Sequence, residues 1–217
     1  GPVTLRRLLV KSSNIGAAKL AGNMSNQHFY GVLSGFGFGE RTGSGFPGES
    51  AAVLSAPNKW GPVEKATISY GYGLSVTPLQ IAQAYAALAN NGMRVSPTFI
   101  KGGNVDKIQA IKPEVARQVV NMLEGVVTTE GTAIRASIKG YRVAGKTGTS
   151  RTAVAGGYEK KYISLFAGVV PIENPKFSMT VVIHDPTGSS YYGGLVSAPV
   201  FHNVMDGALR LMDVPPD

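Results

Sequence analysis

The sequence contains no cysteine, and this absence excludes disulfide bonds, thiolate metal sites and a cysteine nucleophile together. Long apolar runs are also missing, since none approaches the roughly 18 residues of a membrane-spanning helix. No signal peptide is recognisable, and the opening Gly1-Pro2 resembles the scar that protease cleavage leaves after expression. We therefore expect any targeting or anchoring segment to lie upstream of this chain.

Acidic residues are scarce: the chain has 13 aspartates and glutamates against 21 lysines and arginines, a net charge of +8. No acid precedes Glu40, and the seven cations from Arg135 to Lys161 are opposed by Glu159 alone. This balance favours an anionic surface or an acidic substrate as the partner. Nucleic acid is not expected, because helix-turn-helix, zinc and RNP signatures are all absent.

Glycine, by contrast, is abundant, at 28 of 217 residues, or about 13% against a usual 7%. The excess has no collagen-like period, so it indicates many tight turns. A chain of this length, 43% apolar, suffices for one large domain or two small ones. No repeat and no linker-like change in composition divides it.

Apolar spacing predicts helices in the first part of the chain. Short ones cover residues 5–12 and 15–21, and residues 31–61, rich in Gly, Ser and Pro, predict a loop with short helical turns. A longer helix opens at Thr77-Pro78-Leu79-Gln80, which has the spacing of a capping box, and it ends at Gly92. Another helix covers residues 113–127.

The period then changes from about 3.6 to 2, which predicts strands. We expect strands over residues 141–149, 162–170 and 177–183, with the hydrophilic residues 150–161 forming a long connection. A last helix is expected over residues 198–212. This order predicts an α+β fold in which helices cover an antiparallel sheet.

The first candidate site is Lys146-Thr147-Gly148-Thr149, at the end of a predicted strand. Because side chains alternate along a strand, Lys146 and Gly148 face one side, and Thr147 and Thr149 face the other. Gly148 lets a ligand approach the backbone closely. A lysine, two hydroxyls and strand N–H groups can together receive a carboxylate or an oxyanion. Taken alone, the four residues also fit an ordinary edge strand.

The second candidate is Ser12-Ser13-Asn14, at a junction between two helices. Ser and Asn are expected at such a place simply as helix caps. Functionally, a hydroxyl two residues before a carboxamide can relay a proton while the amide holds a substrate peptide bond.

The two candidate motifs are more informative as a pair than separately. S-x-N followed by K-T-G, in that order, belongs to the signature set of β-lactamases and penicillin-binding proteins. Four longer stretches are more specific: Ser12–Gly16 reads SSNIG, Gly45–Glu49 reads GFPGE, Tyr70–Leu74 reads YGYGL and Tyr191–Phe201 reads YYGGLVSAPVF. Collinear over essentially the whole chain, they resemble the class B penicillin-binding proteins, in particular the division-specific peptidoglycan D,D-transpeptidases of Gram-negative bacteria.

The resemblance implies the penicillin-binding-protein and serine β-lactamase fold, no cofactor, and acyl transfer through a serine. It implies that Ser12 shuttles protons and that Asn14 binds the substrate amide. It assigns to Lys146 a positive potential that also helps to hold Ser12. The hydroxyls of Thr147 and Thr149 would take the terminal carboxylate of a stem peptide ending in D-Ala-D-Ala, and the Thr149 N–H would form half of an oxyanion hole.

Three tyrosines, Tyr162, Tyr191 and Tyr192, match positions that form an aromatic wall around a bound β-lactam in relatives. Tyr162 could equally be an inward-facing strand residue. Gly193 and Gly194, which follow the other two tyrosines, suit a mobile loop that closes over a ligand. The three histidines lack ligand-like spacing, so no metal site is expected.

One element of the family pattern is missing. The nucleophile and its activating lysine form an S-x-x-K motif upstream of S-x-N, and no serine of this chain has lysine three positions later. We therefore expect residues 1–217 to form a partial transpeptidase domain, shortened at its N-terminus and catalytically incompetent. The parent would be anchored in the inner membrane, face the periplasm and act beside division-machinery proteins. A β-lactamase or carboxypeptidase relative and a non-catalytic binding module remain as alternatives.

Overall fold

The computed structural model describes residues 1–154 and 156–217, which divide into two units. Residues 1–4 and 12–117 form the first, and residues 5–11 and 118–217 form the second. In chain order the helices are α1 (Leu5–Val10), α2 (Asn14–Gly22), α3 (Asn26–Gly35), α4 (Pro62–Ser69), α5 (Pro78–Ala89), α6 (Pro113–Glu124) and α7 (Gly193–Leu211). The strands are β1 (Met93–Val95), β2 (Lys107–Gln109), β3 (Ala144–Val154), β4 (Gly157–Val170) and β5 (Phe177–His184). Short 3₁₀ turns cover Pro57–Lys59, Gly125–Val127 and Ile134–Ala136.

Helix α5 organises the first unit through the predicted capping box. The Gln80 N–H donates to the Thr77 hydroxyl (3.1 Å), and the Thr77 N–H donates to the Gln80 side-chain oxygen (2.7 Å). Gln80 is fully buried, and its amide nitrogen also donates to the carbonyls of Glu40 (2.7 Å) and Ala51 (3.0 Å). One side chain therefore starts the helix and ties the glycine-rich loop to it.

Within that loop, the GFPGE stretch is a turn held by its last residue. Glu49 accepts hydrogen bonds from the Thr42 N–H (2.8 Å), the Thr42 hydroxyl (2.5 Å) and the Ser44 hydroxyl (2.9 Å). Burial opposes ionisation of the Glu49 carboxyl, but these hydrogen bonds outweigh it and hold its pKa below the ordinary value. The positive charge of Arg41 also lowers the pKa of Glu49.

The second unit is built on an antiparallel sheet in the order β3-β4-β5, with α7 against one face. Phe166 of β4 meets Phe201 of α7 edge to face, with ring centroids 4.9 Å apart, and both rings are fully buried. Beside them the Ser164 and Ser197 hydroxyls share a hydrogen bond of 2.9 Å. This pairing of a sheet with a covering helix is the predicted α+β arrangement.

Two boundaries in this unit differ from the prediction. Residues 150–161 were expected as a connection, but residues 150–154 and 157–161 continue the paired strands: Arg151 lies opposite Tyr162 and Val154 opposite Gly157, with a register shift before Ala153. Residue 155 of the expected connection lies outside the described residues. Polar composition suggested a loop because a ribbon solvated on both faces has no apolar alternation. Helix α7 begins at Gly193 rather than at 198, with Pro199 inside it.

Four elements of the first unit were not predicted. Helix α3 has no fully buried residue, and Ser25 caps it by accepting from the His28 N–H (3.1 Å). Helix α4 is only 8 residues long, and β1 and β2, which pair with each other, have 3 residues each. Segments this short give a periodicity too brief to detect.

Candidate active site

Strand β3 presents the Lys-Thr-Gly-Thr stretch. Lys146, Thr147, Gly148 and Thr149 lie opposite Ala167, Phe166, Leu165 and Ser164 of β4. In the part of the chain that the structure describes, β3 pairs with β4 alone, so its other edge is open. An open edge leaves strand N–H and C=O groups accessible to a ligand.

Lys146 is half-buried, and its ammonium donates to the Thr147 carbonyl oxygen (3.1 Å). Burial lowers the pKa of Lys146 from 10.5 to about 8, because desolvation disfavours the charged form. An ammonium with this pKa can provide positive charge to an anionic ligand and can also release a proton near neutral pH.

The Thr147 and Thr149 side chains lie on the face that α7 covers, as the alternation predicts. The Thr147 hydroxyl shares a 2.7 Å hydrogen bond with the Thr132 hydroxyl. The Thr149 hydroxyl accepts from the Gly193 N–H (3.1 Å), at the start of α7. A hydroxyl that accepts one hydrogen bond still has its own proton to donate, so Thr149 can donate to a carboxylate. Thr132 was not among the residues singled out from the sequence, and no motif marks it.

Gly193 and Gly194 let the start of α7 approach the sheet. A Cβ on Gly193 would overlap the Leu165 carbonyl oxygen, and one on Gly194 would overlap the Thr132 carbonyl oxygen. Both glycines are buried in the first turn of α7. Close packing therefore explains why both residues are glycine. The sequence had instead suggested that they belong to a mobile loop. This packing brings the positive end of the helix to Thr149.

Gly148 is different, because a Cβ there would meet Leu165 at 3.4 Å, an ordinary contact. Internal packing does not require glycine at this position. The prediction that Gly148 allows close approach of a ligand to the backbone therefore stays a prediction.

The three tyrosines lie together near the same strand. The Tyr162 and Tyr191 rings are stacked, with centroids 3.8 Å apart and planes 11° apart, and Tyr192 lies 4.6 Å from Tyr191. The hydrogen bond between the Tyr191 and Tyr192 hydroxyls (3.4 Å) is the main reason that the pKa of Tyr191 is raised to about 12. Because Tyr192 is 55% exposed, the group presents an aromatic surface to solvent.

Ser12 and Asn14 belong to the first unit, at the junction of α1 and α2. Ser12 adopts a φ of 53°, a conformation that non-glycine residues rarely take and that often occurs at functional sites. Ser13 caps α2, since its hydroxyl accepts from the Gly16 N–H (3.1 Å). Asn14 is the exposed first residue of α2. Helix capping therefore accounts for Ser13 but not for Ser12 or Asn14.

Among the described residues, no group of three histidine, aspartate or glutamate side chains is placed to hold a metal ion. Nor is any helix of the described ranges long and apolar enough to span a membrane.

Comparison with known proteins places the chain in a family. Residues 1–206 match the model of the penicillin binding protein transpeptidase domain. Over 99% of its length the chain is 42% identical to the peptidoglycan D,D-transpeptidase FtsI of Escherichia coli K12. Over 98% of its length it is 38% identical to the probable peptidoglycan D,D-transpeptidase PenA of Neisseria meningitidis. It spans 37% of the length of each of these relatives.

Solved structures agree with the sequence relatives. The apo transpeptidase domain of Burkholderia pseudomallei penicillin-binding protein 3 matches the whole chain with a TM-score of 0.93 at 39% identity, over 67% of its own length. Penicillin-binding protein 3 of Mycobacterium tuberculosis, solved in complex with aztreonam, matches with a TM-score of 0.90 at 33% identity, over 53% of its own length. The chain therefore belongs to the penicillin-binding protein transpeptidase family and matches the transpeptidase domain of the class B penicillin-binding proteins.

Proposed function

We propose that this chain is the substrate-holding part of a peptidoglycan D,D-transpeptidase that acts in septal cell-wall synthesis. The observation that carries the proposal is the arrangement at β3. Two threonine hydroxyls share one face beside the start of α7, and a lysine of lowered pKa comes directly before them in the sequence, on the other face of the strand. Hydroxyl donors, a helix N-terminus and an ammonium together suit the carboxylate of a peptide ending in D-Ala-D-Ala.

In this proposal each residue has a binding or proton-handling role. Thr147 and Thr149 donate to the terminal carboxylate, Lys146 stabilises its charge, and Asn14 hydrogen-bonds the amide of the peptide. Ser12 relays a proton to the leaving nitrogen. The aromatic surface of Tyr162, Tyr191 and Tyr192 borders the bound ligand.

The reaction itself needs a serine that these 217 residues do not supply. That serine oxygen attacks the carbonyl of the penultimate D-alanine, the peptide C–N bond breaks, and the terminal D-alanine leaves with a proton on its nitrogen. The amine of a second stem peptide then attacks the ester, which forms the cross-link and returns the serine hydroxyl. β-Lactams would acylate the same serine as mimics of D-Ala-D-Ala.

The names of the relatives support a role in peptidoglycan cross-linking, and FtsI among them supports a role in division. We extend to the parent protein the anchor in the inner membrane, the periplasmic face and the division-machinery partners that the family resemblance implies.

The experiment that tests the proposal is labelling with a fluorescent penicillin. We expect no covalent adduct on this chain, because no serine in it is followed by lysine at the third position. A longer form of the protein that includes an S-x-x-K segment should be labelled, and Lys146→Ala in that form should slow labelling by at least tenfold. An adduct on any serine of the 217-residue chain would contradict the proposal. So would an equal labelling rate of the longer form with and without Lys146→Ala.

A further inference from the structure

A loop that follows α6, formed by residues 125–132, ends with a hydroxyl against β3. We propose that Thr132, at the end of this loop, is a positioning residue: by donating to the Thr147 hydroxyl, it directs the Thr147 proton to the carboxylate of the ligand. This inference rests on the proposed function and deepens it, because it explains how the Thr147 hydroxyl keeps its proton available. The loop and β3 both belong to the second unit.

The Thr147 hydroxyl has a single proton, and its hydrogen bond to Thr132 decides where that proton points. The two hydroxyl oxygens are 2.7 Å apart, and either can be the donor. When Thr147 donates, its proton points at Thr132, and only its lone pairs face a ligand. When Thr132 donates, the Thr147 proton is available to the ligand. Because an ionised carboxylate only accepts hydrogen bonds, it binds to the second arrangement.

The other threonine of the strand needs no such partner. The Thr149 hydroxyl accepts from the Gly193 N–H (3.1 Å), and an amide N–H cannot take the Thr149 proton. Among the residues that the structure describes, Thr147 is the hydrogen-bond partner of the Thr132 hydroxyl, so no other acceptor competes for the Thr132 proton. The orientation of Thr147 therefore depends on Thr132, whereas that of Thr149 depends on the helix start.

The backbone at Thr132 is fixed by close packing on both sides. The Ala133 N–H donates to the Val126 carbonyl (2.9 Å), and Ala133 is fully buried. A Cβ on Gly131 would overlap the same Val126 carbonyl. On the other side, a Cβ on Gly194 would overlap the Thr132 carbonyl. Backbone atoms therefore approach Thr132 more closely than side chains would allow, and they leave it little room to shift.

Two hydrogen bonds of side chains add to this rigidity. The ammonium of Lys11, directly after α1, donates to the Glu130 carbonyl (2.7 Å) and ties the loop to that helix. The Thr128 hydroxyl donates to the Gly125 carbonyl (2.8 Å) and closes the first part of the loop on itself. A hydroxyl held by a fixed backbone keeps its geometry without an entropic cost when the ligand arrives, which is what a positioning residue requires.

The test is a titration of the isotope-labelled chain, followed by NMR, with acetylated Lys-D-Ala-D-Ala and with the same peptide carrying a C-terminal carboxamide. We expect Thr132→Val to weaken binding of the free acid about two- to tenfold, because the Thr147 hydroxyl loses the donor that orients and polarises it. The response to the carboxamide should not change, since an amide offers both a donor and an acceptor to Thr147. Thr132→Ser keeps the hydroxyl and should restore the affinity for the acid.

A double-mutant cycle separates positioning from direct contact with the ligand. If Thr132 acts through Thr147, adding Thr132→Val to Thr147→Val should lower the affinity for the acid no further. A direct contact between Thr132 and the carboxylate would lower the affinity by the same factor in both backgrounds, and that result would overturn the positioning role.

The matched control is Thr129→Val, because Thr129 is an exposed threonine of the same loop whose hydroxyl has no hydrogen-bond partner within the described ranges. It should leave the affinity for the acid unchanged, and thermal unfolding of every variant separates a loss of binding from a loss of fold. Equal effects of Thr132→Val and Thr129→Val, or a failure of Thr132→Ser to restore binding, would overturn the proposal.

The wild-type chain separates this inference from the proposed function. A wild type that does not distinguish the acid from the carboxamide at residues 146–149 would overturn both. A wild type that prefers the acid, together with a Thr132→Val variant that keeps the full preference, would overturn the positioning role and leave the proposed function standing.

Discussion

Lys146 shows most clearly how environment sets the chemistry of a single residue here. Its ammonium is half-buried beside the Thr147 carbonyl, and burial alone moves its pKa from 10.5 to about 8. Below pH 8 the folded and unfolded states both carry the proton, so the full penalty of burying the charge weakens the fold. Between about pH 8 and 10.5 only the unfolded state retains the proton, and the free energy of unfolding rises with pH.

Because burying the charged Lys146 weakens the fold below pH 8, removing the charge should stabilise the protein there, and Lys146→Met tests this. The variant should be more stable than the wild type at pH 7, by at most roughly 3 kcal/mol and less where solvent screens the charge. The advantage should shrink as pH rises from 8 to 10.5. Urea unfolding across this range measures it, with the exposed Lys176→Met as a control that shows no such trend. A constant difference at all pH values would mean that the charge of Lys146 is not the cause.

At the scale of elements, α7 contains two glycines that packing requires and one that it does not. Gly193 and Gly194 sit where any Cβ would overlap a carbonyl oxygen, so the helix start can lie against β3 and β4 only without side chains. Gly207, in the same helix, has nothing within 4 Å of a Cβ position. Only the first pair is required by packing.

We therefore expect Gly194→Ala and Gly207→Ala to change stability in opposite directions. Gly194→Ala should destabilise the fold by about 2 kcal/mol or more, because the helix start must move away from Thr132. Gly207→Ala should stabilise it by about 0.5–1 kcal/mol through helix propensity. Thermal and urea unfolding decide the matter, and a tolerated Gly194→Ala would show that α7 does not need this close approach.

The same helix shows where sequence reasoning reached its limit. The sequence predicted this helix over residues 198–212, whereas Pro199 lies inside the helix that the structure shows. In the structure the Leu195 and Val196 N–H groups already donate to the Tyr192 carbonyl (2.9 and 3.0 Å), so the helix is established one turn earlier. The contact that sets its start is the Gly193 hydrogen bond to Thr149, which is 44 residues away in sequence. Local propensity cannot encode such a partner.

For the whole molecule, the sequence predicted what depends on repeated local spacing. The capping box at Thr77 and the strand at residues 177–184 are where the periodicity places them. The Lys-Thr-Gly-Thr face alternation also holds, because Thr147 and Thr149 both reach the α7 side. The family was predicted from motifs rather than from periodicity, and the comparisons confirm it.

What could not be predicted depends on distant contacts. Thr132 pairs with Thr147 without any motif, and the low pKa of Lys146 follows from burial that only the folded sheet provides. The roles of Ser12, Asn14 and the three tyrosines stay predictions, to be decided by ligand binding.

The central claim is that β3 receives the terminal carboxylate of a D-Ala-D-Ala peptide, and binding to the isolated chain tests it most directly. The measurement compares acetylated Lys-D-Ala-D-Ala with the same peptide carrying a C-terminal carboxamide, using NMR shifts of residues 146–149. We expect the free acid to shift these resonances, the carboxamide to leave them nearly unchanged, and Thr149→Val to weaken the response to the acid. Equal shifts from both peptides, or shifts only outside β3, would contradict the claim.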